Sequence, residues 1–149
     1  MQIHKITKKD FTEWMAMGLE FWPKHTEKEI RNEFNRIVNS KQEESFICKD
    51  GDRSLGFIAV AIRTDYVEGS IFSPKKKPVG YLEAIYVKKA FRKRGVAKLL
   101  MKEGLTWLKK NGCKEVGSDV RMDNSISQTF HKKIGFKKGE ILVHYIRQI

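Results

Sequence analysis

The residues best suited to hold a charged ligand are Arg92-Lys93-Arg94-Gly95-Val96-Ala97. They follow an apolar run, Tyr81 to Val87, and open a helical pattern. Gly95 and Ala97 leave backbone N–H groups uncrowded. A helix start also carries a positive partial charge. Together these make a seat for a pyrophosphate-type anion. No Gly-Lys-Ser/Thr follows, so this is not a Walker loop, and the second and third glycines of the dinucleotide fingerprint are missing. The six residues alone are equally consistent with a basic turn whose glycine serves tight packing.

The charge distribution points to the same half of the chain. The 149 residues carry a net charge of +12. Residues 1–74 hold 11 Lys+Arg against 12 Asp+Glu, a net of −1, whereas residues 75–149 hold 19 against 6, a net of +13. An anionic partner of the second half is expected, either a phosphorylated cofactor or nucleic acid; a solvated basic face is the plainer alternative. The length suits one domain, 1–149, with a real core. No apolar run reaches the ~20 residues of a membrane span. Met1 to Ile6 lacks a secretory apolar segment, so a cytoplasmic location is expected. Cys48 and Cys113 are too few for a disulfide framework and read as buried thiols. His4, His25 and His144 show no metal-site spacing.

The elements that would position the seat follow from periodicity. Gln2 to Ile6 alternates as a strand. Asp10 with Glu13 reads as a capping box for a helix ending at Pro23. Thr26 and Glu29 open a second helix with an apolar face of Ile30, Phe34, Ile37 and Val38. Strands are predicted over Ser45 to Lys49, Leu55 to Arg63 and Gly80 to Val87. Between the last two lies a long polar loop, Thr64 to Val79, containing Lys75, Lys76 and Lys77. Gly95 to Lys110 reads as a helix with Val96, Leu99, Leu100, Leu105, Trp107 and Leu108 inward. Cys113 to Val120 reads as a strand, Asn124 or Asp123 caps a last helix, and Phe136 to Ile146 reads as closing strands. The pattern is α/β (α+β): a mixed, mostly antiparallel central sheet flanked by helices.

Two stretches carry a family resemblance. Arg92 to Ala97 fits Gln/Arg-x-x-Gly-x-Gly/Ala, and Asn124, Ser127, Phe130, His131 and Gly135-Phe136 fall at the spacings of a second mark. In both, the chain resembles the GCN5-related N-acetyltransferase superfamily over essentially its whole length. Asp65-Tyr66-Val67-Glu68-Gly69, Tyr81-Leu82-Glu83-Ala84 and Ser118-Asp119 narrow the resemblance to aminoglycoside 6'-N-acetyltransferases. That family usually has Gly where Ala84 stands.

The resemblance implies acetyl-coenzyme A as cofactor, a small-molecule aminoglycoside amine as acceptor, and a homodimer. It implies that Arg92, Lys93, Arg94, Gly95, Val96 and Ala97 meet the pyrophosphate. Pantetheine would run beside Ile85, Tyr86 and Val87, and meet Asn124 and Ser127. The N–H of Ile85 or Val87 would hold the oxyanion. Glu83 is the candidate base or ammonium ligand, Asp119 a second ammonium ligand, and His131 the acid toward the leaving thiolate. Trp22, Tyr66, Glu68, Glu83 and Asp119 would line the acceptor pocket. Each has a plainer reading: an outward strand carboxylate for Glu83, a cap neighbour for Asp119, a half-buried helix residue for His131, and packing for Trp22. A same-fold enzyme for a polyamine or peptide amine is the alternative. A nucleic-acid-binding module ranks last, because the basic residues cluster at the glycine turn and helix ends with no nucleic-acid motif.

Overall fold

A computed structural model of the chain describes residues 1–65, 67–70 and 78–149. Five strands form one sheet: β1 (Gln2–Lys5), β2 (Glu43–Asp50), β3 (Arg53–Arg63), β4 (Val79–Val87) and β5 (Val116–Gly117). They lie in sequence order, antiparallel except for the parallel pair β4–β5. Helices α1 (Phe11–Phe21) and α2 (Glu27–Asn39) pack on one face, and α3 (Val96–Lys110) on the other. The last helix, α4 (Ser125–Lys133), is short and half-exposed.

The near-continuous apolar run of β3 follows from burial on both faces. Phe57 and Ala59 face the α1–α2 core, with Trp14, Met17, Ile30 and Phe34; Ile58 and Val60 face the α3 core, with Leu100, Met101 and Leu108. Phe57 is the hub of an aromatic cluster, touching Trp14, Phe21, Trp22 and Tyr86. That cluster fixes α1 and the segment after it against the middle of the sheet. On α2 the expected capping box forms: Thr26 N–H donates to Glu29 at 2.7 Å, and Glu29 N–H to Thr26 Oγ1 at 3.3 Å.

Four expectations change. The first capping contact is Thr7 with Asp10, not Asp10 with Glu13: both Thr7 N–H and its hydroxyl donate to Asp10 at 2.9 Å. Asp10 is buried and also binds His4 and Lys49, so its carboxyl is committed before α1 begins. Leu99 is 40% exposed, because the buried stripe of α3 runs through Val96, Leu100, Met101, Gly104 and Leu108. β5 keeps only two paired residues of the expected Cys113-to-Val120 strand. The run from Phe136 onward forms no strand, since no sheet edge among the described residues pairs with it.

The feature that organises the site is a bulge. Ala59 and Val60, consecutive on β3, pair with Ala84 and Leu82 on β4. Glu83 is the extra residue between them. Leu82 therefore joins the α3 core while Ala84 joins the α1–α2 core, although residues two apart on a regular strand share a face. β5 pairs only with Gly80 and Tyr81, so β4 loses that neighbour just before the bulge. From Leu82 onward the two strands part.

Candidate active site

The acidic side of the site is built around the bulge. Glu83 is exposed and lines an open cavity of about 500 Å³. Trp22, His25, Glu29 and Glu33 from the end of α1 and the face of α2 line the same cavity. Trp22 serves both readings: it packs edge-on against Phe21 and at a tilt against Phe57 within the aromatic cluster, and still walls the cavity. Glu83 is not free. Arg63, at the end of β3, donates to its Oε1 at 2.9 Å. The same guanidinium lies 3.4 Å from the centre of the Tyr81 ring, and the Tyr81 hydroxyl donates to Asp119 at 2.9 Å. One cation and one phenol thus tie together the two carboxylates expected to meet the acceptor. Burial first, then the hydrogen bond to Asp119, push the Tyr81 phenol up to about 12, so it remains a donor at neutral pH.

Glu68 lies on the loop after β3, close enough to Glu140 to raise that residue's carboxyl. Tyr66 and Lys75 to Lys77 lie outside the described residues.

His131 sits on α4 opposite the parting strands. Its Nδ1–H donates to the Ser127 carbonyl at 2.8 Å, and its Nε2 lies 2.9 Å from the Ser118 hydroxyl. Ser118 Oγ is also 3.3 Å from the Leu82 carbonyl. A hydroxyl–imidazole pair therefore bridges β4 and α4 where β5 ends. Asn124 caps α4, accepting from Ser127 N–H at 3.0 Å.

The basic side lies at the other end of β4. A 3-10 turn, Lys89–Phe91, leads to Gly95, which precedes α3 with φ +82°. A glycine adopts this left-handed conformation without penalty. Lys93 is also left-handed, φ 61°. No side chain caps α3, so its first N–H groups are open to an anion. Arg92 donates from Nε to the Val87 carbonyl at 3.0 Å and so closes the loop on the strand end. Arg92, Lys93, Arg94 and Gly95 are exposed, Ala97 is half-buried, and Val96 is buried as the anchor of α3. Between seat and bulge, Ile85 and Val87 face the α3 core, whereas the Tyr86 side chain lies on the opposite face and donates to Glu20.

Comparison with known proteins decides the family. The model of the acetyltransferase (GNAT) family matches residues 2–136. The chain belongs to this family. Within it, the chain is 34% identical over 145 residues to an aminoglycoside N(6')-acetyltransferase type 1 of Salmonella enteritidis, covering 97% of each. An Acinetobacter baumannii relative of the same name is 28% identical, covering 100% of this chain and 99% of the relative. The fold matches an aminoglycoside antibiotic 6'-N-acetyltransferase of Acinetobacter haemolyticus, crystallised in the apo form, with a TM-score of 0.93, 29% identity and coverage of 100% and 99%. It also matches AAC(6')-Iy in complex with the bisubstrate analogue CoA-S-monomethyl-acetylneamine: TM-score 0.92, 32% identity, coverage of 99% and 98%. This GNAT chain thus has the expected α/β architecture with a mostly antiparallel sheet.

Sequence reasoning gave no site role to Arg63 and Glu33, nor to Tyr81, Ser118 and Glu29, which it read only as motif or cap residues. Arg63 and Tyr81 are joined by strand register across 18 positions, and Ser118 entered only as the neighbour of Asp119 in a motif. Glu29 and Glu33 were legible as one helical face, but not as a cavity wall.

Proposed function

We propose that this protein transfers the acetyl group of acetyl-coenzyme A to the 6'-amine of an aminoglycoside. The observation that carries the reading is the stretch of β4 beyond Tyr81, which has a carboxylate at the bulge and an uncapped basic helix start at the other end. Relatives covering the whole chain carry this activity in their names, and AAC(6')-Iy binds a coenzyme A–aminoglycoside conjugate.

The residues present fit the donor. The backbone of Arg94 to Ala97 and the first turn of α3 would hold its phosphates. The edge of β4 from Ile85 to Val87 would take its pantetheine, with Asn124 and Ser127 alongside. When bound, acetyl-coenzyme A supplies an activated thioester. The chain's own groups do the rest. Glu83 orients the acceptor ammonium and takes its proton, directly or through one water. Asp119, fixed by Tyr81, and Glu68 hold further ammonium groups. Trp22 offers a ring face to the sugars. An N–H of Ile85 or Val87 receives the charge that grows on the acetyl oxygen. With Nε2 of His131 protonated, the imidazolium would donate to the Ser118 hydroxyl as that hydroxyl gives its own proton to the departing sulfur, leaving a neutral imidazole.

The reading includes a single catalytic domain over 1–149 working as a cytoplasmic homodimer. No helix among the described residues is long and apolar enough to cross a membrane. The run after Phe136 supports the dimer, because Ile141, Leu142, Val143, Tyr145 and Ile146 are exposed, with Ile146 fully so. A second copy would cover them, and light scattering should return twice the monomer mass; a monomer mass at micromolar concentration removes this part. The activity itself is tested by acetyl transfer to kanamycin-type aminoglycosides, spermidine and a peptide amine. Turnover is expected on the first class, and its absence there would leave only the family assignment.

A further inference from the structure

Among the described residues, a cation of the protein itself already sits on Glu83. Arg63 Nη2 is 2.9 Å from Glu83 Oε1, where an acceptor ammonium would bind. Both side chains are about a third exposed, at 36% and 34%, so the pair is open to exchange with a solute. Arg63 also has a second hold. Its guanidinium lies 3.4 Å from the Tyr81 ring centre, a cation–π contact that does not depend on Glu83. Asp65, at the start of the following loop, attracts it as well. Through the Tyr81 hydroxyl the stack reaches Asp119. Arg63 can therefore release Glu83 and remain in place over Tyr81.

We propose that Arg63 is an acceptor-specificity residue, a built-in cation that occupies Glu83 until a polycationic acceptor displaces it. This deepens the acceptor reading given above and rests on it. A single ammonium arriving at Glu83 exchanges one ion pair for another and gains little. An aminoglycoside brings further ammonium groups: Glu29 lines the same cavity with only its Oε2 taken by the Thr26 cap, and Asp119 lies next to Arg63 beyond the Tyr81 ring. Among the described residues that line the cavity, the guanidinium of Arg36 is already held by Glu33 and Glu43, so it does not substitute for Arg63 at Glu83. Displacement thus sets a charge threshold. Monoamines compete with Arg63 on equal terms, and polyamines exceed it.

The test is calorimetric titration of the coenzyme A complex with kanamycin, for wild type, Arg63→Met and Arg63→Lys, at low and high salt. Removing the competing charge is expected to tighten kanamycin binding roughly threefold to tenfold at low salt. The gain should shrink at high salt, as screening weakens both attraction and competition. Arg63→Lys should bind like wild type, and the coenzyme A dissociation constant should not move in either variant. A residue that merely braces Glu83 would give the opposite sign, with kanamycin binding weakened by Arg63→Met and by Arg63→Lys. Unchanged or weakened kanamycin binding in Arg63→Met overturns the proposal, as does an absence of binding to every form. Wild-type protein that binds kanamycin without acetylating it would sink the proposed activity instead, and leave the role of Arg63 to be decided by the titration.

Discussion

Glu83→Gln is expected to lower kcat/KM for an aminoglycoside by about a hundredfold, the lower range of what a positioned general base contributes. The substitution keeps the shape of the side chain and removes both its charge and its basicity. It also leaves Arg63 without its carboxylate, so the cavity wall becomes more positive where a polycation must enter. Both effects have the same sign. The fold should survive, because a partly exposed pair of this kind stabilises by only about 0.2–1 kcal/mol. That corresponds to a change of at most about 4 °C in Tm for a chain of this size. Donor binding should be unaffected, since the basic seat lies at the other end of β4. Steady-state kinetics with varied acceptor, paired with a coenzyme A titration and a melting curve, separates these outcomes. Unaltered acceptor kinetics would remove Glu83 from the mechanism, and a large fall in Tm would make the loss of activity structural.

The chemistry of this site was partly legible in the sequence, and the reason differs from residue to residue. Gly95 was legible because a glycine between basic residues and an apolar helical pattern has a local explanation, which its φ of +82° bears out. The Thr26–Glu29 box was legible for the same reason, since both partners lie within one turn. The bulge at Glu83 was not. Leu82 and Ala84 are both apolar and both buried, so alternation alone gives no sign that they face opposite cores. Only the register against Ala59 and Val60 reveals it. Asp10 misled because two local caps competed, and Thr7 won by offering both its N–H and its hydroxyl. The run Ile141 to Ile146 has strand-like composition, but a strand needs a neighbour, and composition does not say which chain supplies it. Ala84 shows how a departure from a family pattern can be absorbed. Its methyl group packs into the α1–α2 core, 3% exposed, rather than into the cleft.

Gly95→Glu is expected to raise the dissociation constant for coenzyme A by roughly a few hundredfold or more. Two physical effects contribute, and they can be separated. The first is electrostatic. A carboxylate at the start of α3 would face a pyrophosphate held by the same N–H groups, and like charges a few ångströms apart at a protein surface repel by about 2–3 kcal/mol. The second is conformational. Gly95 has φ +82°, and an ordinary L-residue there costs about 1–2 kcal/mol. Space is not the obstacle, because an added Cβ at Gly95 would meet no atom within 4 Å. Gly95→Asn isolates the conformational part, since Asn tolerates the left-handed region and carries no charge. It should weaken coenzyme A binding only severalfold, while Gly95→Glu should weaken it much further and recover part of the loss at high salt. If both variants bind as wild type does, the uncapped start of α3 is not the phosphate seat. If both weaken equally and without salt dependence, the glycine matters for the shape of the turn alone. A graded, salt-dependent series would instead identify the seat as electrostatic, with Arg92 keeping the loop closed through the Val87 carbonyl.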